Sequence, residues 1–90
     1  MAGAPFFFSN SHTGSGVQTV NESIPGLGIT PKNSNILVAA VELDGLGTPF
    51  IGGAAIQVMD IAPAQDGVSV RVNVLWESPI TFRLAYVIWP

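Results

Sequence analysis

The sequence predicts an all-β protein: a small antiparallel sandwich of about six strands that assembles into an oligomer. Three observations carry that expectation. Apolar and polar residues alternate with a period of two over long stretches, and no window sustains the i, i+3, i+4, i+7 spacing of an amphipathic helix. Ten glycines and seven prolines are scattered over 90 residues, which breaks helices and supplies turns. Charged residues make up only 10% of the chain, where about 25% is ordinary for a soluble domain. A small domain has much surface to cover, so this shortage predicts that part of it is hidden against further copies or a larger assembly.

The length suits one domain, residues 1–90, with a loop-rich part over 1–35 and the core strands over 36–89. Phe6-Phe7-Phe8 reads as a short strand or an anchor, Ser9–Gly16 as a polar, Gly/Ser-rich loop, and Val17–Ile24 as a strand. Pro25–Pro31 is irregular. Ile36–Leu43 is a strand that is apolar on both faces, with Ile36, Val38 and Ala40 on one and Leu37, Ala39, Val41 and Leu43 on the other. An antiparallel sheet ordinarily wets one face. One side of this strand is therefore expected to meet the sandwich core and the other a neighbouring subunit.

Asp44–Pro49 joins that strand to the next, over Ala54–Ile61, where Ile56 and Val58 share one face and Gln57 and Met59 the other. Pro63–Gly67 is a turn in which Asp66-Gly67 supplies the left-handed position. The strongest alternation follows. Val68, Val70, Val72, Val74 and Trp76 share one face of a strand, and Ile80, Phe82, Leu84, Tyr86 and Ile88 share one face of the next. Between them Glu77-Ser78-Pro79 reads as the turn of a hairpin, because Pro79 lacks an N–H and biases Ser78 to an extended shape. That hairpin would set Trp76 opposite Ile80, Val74 opposite Phe82, Val72 opposite Leu84, Val70 opposite Tyr86, and Asn73 opposite Arg83.

Several function classes are unexpected. Three Lys+Arg stand against six Asp+Glu, a net charge of −3 with no basic run. That is no electrostatic footprint for nucleic acid and no attraction to an anionic membrane. No apolar stretch reaches the ~20 residues of a membrane helix, so membrane insertion is not expected. There are no cysteines, hence no disulfides and no thiolate metal site. The start carries neither a basic segment nor a long apolar one. The expectation is synthesis in the cytoplasm without a signal peptide, with a virion or extracellular location after release.

No enzyme, cofactor or metal is expected. His12 is the one histidine, and catalysis through it would need a positioned nucleophile and an orienting carboxylate; no nucleophile-elbow motif is present. A solvated loop histidine is the favoured reading. Glu42, Asp44, Asp60 and Asp66 could in principle hold a hard cation, but they lack motif spacing and read as strand-end and turn acids. The three Gly-x-Gly segments open no helix and carry no Lys-Ser/Thr, so they are turns and not phosphate loops. Asn21-Glu22-Ser23 fits a glycosylation sequon by chance. Phe82 and Tyr86 are assigned to the core. Trp76 and Trp89 stand open between interface and core.

Three segments carry a resemblance: Ile36–Asp44, an apolar strand ending in Leu-Asp; Ala54–Ile61 with Pro63 and Gly67; and Trp76 with a last strand ending Val87-Ile88-Trp89. In these the chain resembles the H-type lectin family, over 54 of its 90 residues. The resemblance implies a six-stranded antiparallel sandwich, a trimer or trimer-built hexamer, and binding of N-acetylgalactosamine-type sugars at subunit junctions. It places a ligand site at Gln57, Trp76 and Glu77, with His12 and Ser15 supplied by a neighbouring copy. Gln57 stands nearest the family's sugar-contacting arginine, Glu77 replaces a histidine, and no acid stands near His12–Gly16, where a member of the family holds an aspartate. Fold and trimerisation therefore carry over further than sugar specificity. The expected function is a non-enzymatic, lectin-like attachment protein; the alternative is a structural component of a phage or other virion, in a tail, fibre or head, partnered by other virion proteins.

Overall fold

The structure, a computed structural model, describes residues 3–90. Its strands are β1 (Phe6–Gly14), β2 (Gly16–Ser23), β3 (Asn35–Leu43), β4 (Pro49–Phe50), β5 (Ala55–Ala64), β6 (Gly67–Leu75) and β7 (Ile80–Trp89). All pairings are antiparallel, in a four-stranded sheet of order β1-β7-β3-β4 and a three-stranded sheet of order β2-β6-β5. The all-β, two-sheet architecture agrees with the alternation, with six long strands and a two-residue β4. Among the described residues no helix is long and apolar enough to cross a membrane.

The alternating faces of β6 and β7 make the core. Val68, Val70, Val72 and Val74 lie on one side and Phe82, Leu84, Tyr86 and Ile88 on the other, all at most 1% exposed. Phe82 and Tyr86 are therefore core residues, as their position in the alternation implies. Ile36, Val38 and Ala40 on β3, Ile56, Val58 and Ile61 on β5, and Val20 on β2 pack around them.

The expected hairpin between β6 and β7 does not form. β6 pairs with β2 and β5, and β7 with β1 and β3. Val74 thus lies opposite Gly16 and Ile56 within its sheet, and Phe82 opposite His12 and Glu42; Asn73 and Arg83 point to opposite outsides of the sandwich. The physical reason is burial. Side by side, two apolar faces would form one surface still in need of a cover, whereas in separate sheets each covers the other. Residues 76–79 carry the chain from one sheet to the other.

A second expectation also fails. Ser9–Gly14 is not a loop but most of β1, paired with β7 from Phe6↔Ile88 to Gly14↔Ile80. Its polar side chains looked like loop chemistry, yet Asn10 and His12 face inward and find partners there. Ser15 turns the chain from one sheet to the other, and Gly16 takes the left-handed conformation (φ 74°) that lets β2 start at once.

The β5–β6 hairpin does form. Its loop is Gln65-Asp66, with Asp66 itself left-handed (φ 56°) and Ala64 opposite Gly67. Gly67 leaves no room for a side chain, because a Cβ there would strike the Glu22 carbonyl of β2. A bulge between Val58 and Asp60 shifts the phase of β5, which turns Ile61 inward and sets Asp60 opposite Arg71. The segment between β2 and β3 is tied to this hairpin by Ile24 N–H donating to the Asp66 carbonyl (2.8 Å) and Asp66 N–H to the Ile29 carbonyl (3.0 Å).

Candidate functional site

The outward positions of the four-stranded sheet form the first candidate surface. Across β1, β7 and β3 the register aligns Phe7, Val87 and Leu37 in one row, Ser9, Ala85 and Ala39 in the next, and Ser11, Arg83 and Val41 in a third. Large apolar side chains thus stand beside a floor of small ones, leaving an open groove of about 370 Å³. Phe7 is 77% and Leu37 61% exposed. The strand read as apolar on both faces does bury Ile36 inward while it presents Leu37 and Ala39 outward; Leu43, assigned to the outer series, is buried at the strand end. Arg83 lies just beyond the groove. Among the described residues the ion pairs are His12–Glu22 and Arg71–Asp60, so Arg83 has no carboxylate partner.

A second surface gathers most of the residues expected at a ligand site. Trp76 and Glu77 follow β6 and line a shallow depression with Gly16, Asn73 and Leu75. The Ser15 hydroxyl donates to the Trp76 carbonyl (2.5 Å), and a Cβ on Gly53 would lie 3.1 Å from the indole, so the ring packs against that backbone. Trp76 is nonetheless 44% exposed. Gln57 sits on the same outer side, opposite Asn73. Trp76, Glu77, Ser15 and Gln57 therefore collect at one end of the three-stranded sheet. Ser15 comes from the same chain, where the resemblance implied a neighbour's.

His12 does not join them. It is half-buried between the sheets, its ring 5.9 Å from that of Phe82, and Nε2 lies 2.8 Å from Glu22 Oε2. The solvated-loop reading is thereby overturned, because β1 points this side chain inward. Glu22 is the hub. Its carboxylate, on a residue 8% exposed, also accepts hydrogen bonds from the Tyr86 hydroxyl (2.7 Å) and Asn10 Nδ2 (3.1 Å). β1, β2 and β7 are thus stitched across the two sheets by one anion. Burial pushes the Glu22 carboxyl up, but the hydrogen bonds from Tyr86, His12 and Asn10 and the charge of His12 outweigh it and hold the pKa below the ordinary glutamate value. The Tyr86 hydroxyl is pushed strongly upward, first by burial, then by its hydrogen bond to Glu22 and the charge there. A base held this firmly and this deep is suited to fastening sheets. Sequence reasoning missed Glu22, whose neighbours read only as a sequon; its even spacing from Gln18 and Val20, inward on β2, was the available signal.

The third feature is the loop between β3 and β4. Asp44 organises it. Asp44 Oδ1 accepts from the Leu46 and Thr48 N–H groups (2.8 and 2.9 Å), the Asp44 N–H donates to the Thr48 carbonyl (2.9 Å), and the Gly47 N–H to the Asp44 carbonyl (3.0 Å). Gly47 adopts φ 78°, which closes the turn. The result is a tied loop that holds Leu46 and, past β4, Ile51 out in solvent, with Phe50 half-exposed beside them. Among the described residues no cluster of three or more His, Cys, Asp or Glu is arranged to hold a metal ion.

Compared with known proteins, the chain matches no family profile, no curated protein and no solved structure.

Proposed function

We propose that this protein is a non-enzymatic building block that works as an oligomer, a structural or attachment component of a larger particle such as a virion. The observation that carries the reading is the outer face of the four-stranded sheet, where Phe7, Leu37, Ala39, Ala85 and Val87 occupy positions that a solitary antiparallel sheet gives to polar residues. Charge scarcity points the same way, as does a set of titratable side chains turned to the interior. Light scattering on the purified full chain tests it. A particle mass that is a multiple of 9.4 kDa is expected. A monomer at every concentration rejects it.

A second reading has its own support. The exposed Trp76 beside Glu77, Asn73 and Gln57 combines an aromatic plane with amide and carboxylate groups, the chemistry that holds a sugar ring. On this reading the oligomer is a lectin-like attachment protein, as the resemblance to H-type lectins implies, and each chain carries the Ser15–Trp76 ledge by itself. A glycan array on the oligomer decides it. Binding that is lost in Trp76→Ala and weakened in Gln57→Ala is expected; no bound sugar, or variants that bind like the parent, rejects it.

A further inference from the structure

We infer that one copy assembles with the next by laying its β3–β4 loop into the groove on the outer face of the neighbour's four-stranded sheet, an inference that rests on the self-association proposed above. Two apolar features of the chain are without a partner: the projecting Leu46 and Ile51, 93% and 101% exposed, and the groove floored by Ala39 and Ala85. One is convex and the other concave. The loop cannot fill its own groove, because six residues of extended strand, ~20 Å, separate Leu43 from Leu37, and the Asp44–Thr48 bonds close the loop on itself.

Charge completes the fit and sets its direction. Arg83 stands two residues beyond Ala85 along β7, ~7 Å from the groove floor, and has no carboxylate partner among the described residues. Asp44 stands two residues before Leu46 at the base of the loop, and both of its side-chain hydrogen bonds fall on Oδ1, which leaves Oδ2 open to a further donor. With Leu46 over Ala85, the spacing brings Asp44 of one copy to Arg83 of the next. A carboxylate already tied by the turn is preorganised for that contact. Loop and groove are different surfaces, so the contact is head-to-tail. It closes into a ring where the rotation permits, a dimer with two reciprocal loop–groove contacts being the smallest, and otherwise runs on as a filament.

Mixing two variants of the full chain tests this directly. Leu46→Ser/Ile51→Ser removes the convex element and leaves the groove; Ala85→Glu blocks the groove and leaves the loop. All three residues are exposed, so the monomer keeps its fold, which the circular dichroism melt checks. By light scattering each variant alone is expected to fall to 9.4 kDa. An equimolar mixture is expected to form a one-to-one pair that grows no further, since one good loop and one good groove remain. Variants that are monomeric alone and stay so when mixed overturn the inference. So does a loop variant that assembles normally while Ala85→Glu does not; that result leaves self-association standing and replaces this contact by sheet-to-sheet packing. A parent chain that is itself monomeric removes both. The charge contact has its own test. Asp44→Asn keeps the turn acceptor, and it and Arg83→Gln are each expected to weaken association about tenfold, with the double variant no weaker than either single one. Additive losses would show that the two side chains do not meet.

Discussion

On the outer face of the three-stranded sheet stand Thr19, Asn21, Gln57, Asp60, Ser69, Arg71 and Asn73, with Val17, Met59 and Leu75 as its exposed large apolar residues; the outer face of the four-stranded sheet gathers Phe7, Leu37, Ala39, Ala85 and Val87 into one patch beside Ser9, Ser11 and Arg83. Both sheets bury their inner faces in the same core, so the core cannot explain the difference. An outward polar side chain keeps its water, and an outward Leu or Phe does not, at a cost of roughly 25 cal/mol for every Å² of apolar area left wet. The three-stranded sheet is finished as it stands. The four-stranded one leaves that apolar area wet, and the proposed assembly would cover it.

Added charge should separate the two faces most visibly. Leu37→Glu is expected to abolish assembly while leaving the monomer melt nearly unchanged, whereas Thr19→Glu on the other face should leave assembly intact; particle mass by light scattering reads both. Equal effects would erase the distinction. Next in size is Phe82→Ala, which hollows the core the two sheets share and should cost about 4 kcal/mol in denaturant unfolding. Gly67→Ala, whose methyl meets the Glu22 carbonyl, should cost less but still more than a substitution in open space.

The link between the sheets gives a pH signature. Because the Glu22 pKa is depressed in the folded state, its contribution is fully present above the ordinary glutamate pKa of 4.5 and is lost as pH falls through the folded value. The raised Tyr86 pKa works in the opposite direction, with a contribution complete below its ordinary value of 10.0 and lost as pH rises above it. Unfolding free energy measured against pH should therefore fall at both ends. Tyr86→Phe should flatten the alkaline limb, remove part of the acid one, and cost about 2 kcal/mol at neutrality, since a buried carboxylate loses a donor. An unchanged alkaline limb would contradict the assignment. The smallest effect belongs to the polar face: Asp60→Asn breaks an exposed pair with Arg71 (3.3 Å) and should change stability by less than about 0.5 kcal/mol.

Strand content and the two apolar sides of residues 36–43 were legible, because period two reports directly which residues share a face. Partnership was not. Alternation in 68–76 and 80–89 specifies an apolar face on each, but not whether those faces lie side by side or meet across the core, and a three-residue connection permits both. The β1 strand was hidden for another reason. Asn10 and His12 are polar at inward positions, which looks like a loop until Glu22, far along the chain, is seen to satisfy them. Of the candidate site, Trp76, Glu77, Ser15 and Gln57 gather at one end of the molecule, while His12 belongs to the interior.

The chain has no cysteine, so a single introduced thiol reports one face alone. Ala85→Cys places it on the apolar outer face and Ser69→Cys on the polar one, and labelling rate by a soluble thiol reagent can be followed against protein concentration. The thiol at 85 is expected to be protected in concentrated solution and to become reactive on dilution, while the thiol at 69 reacts at one rate throughout. Equal, concentration-independent labelling at both positions would contradict that expectation.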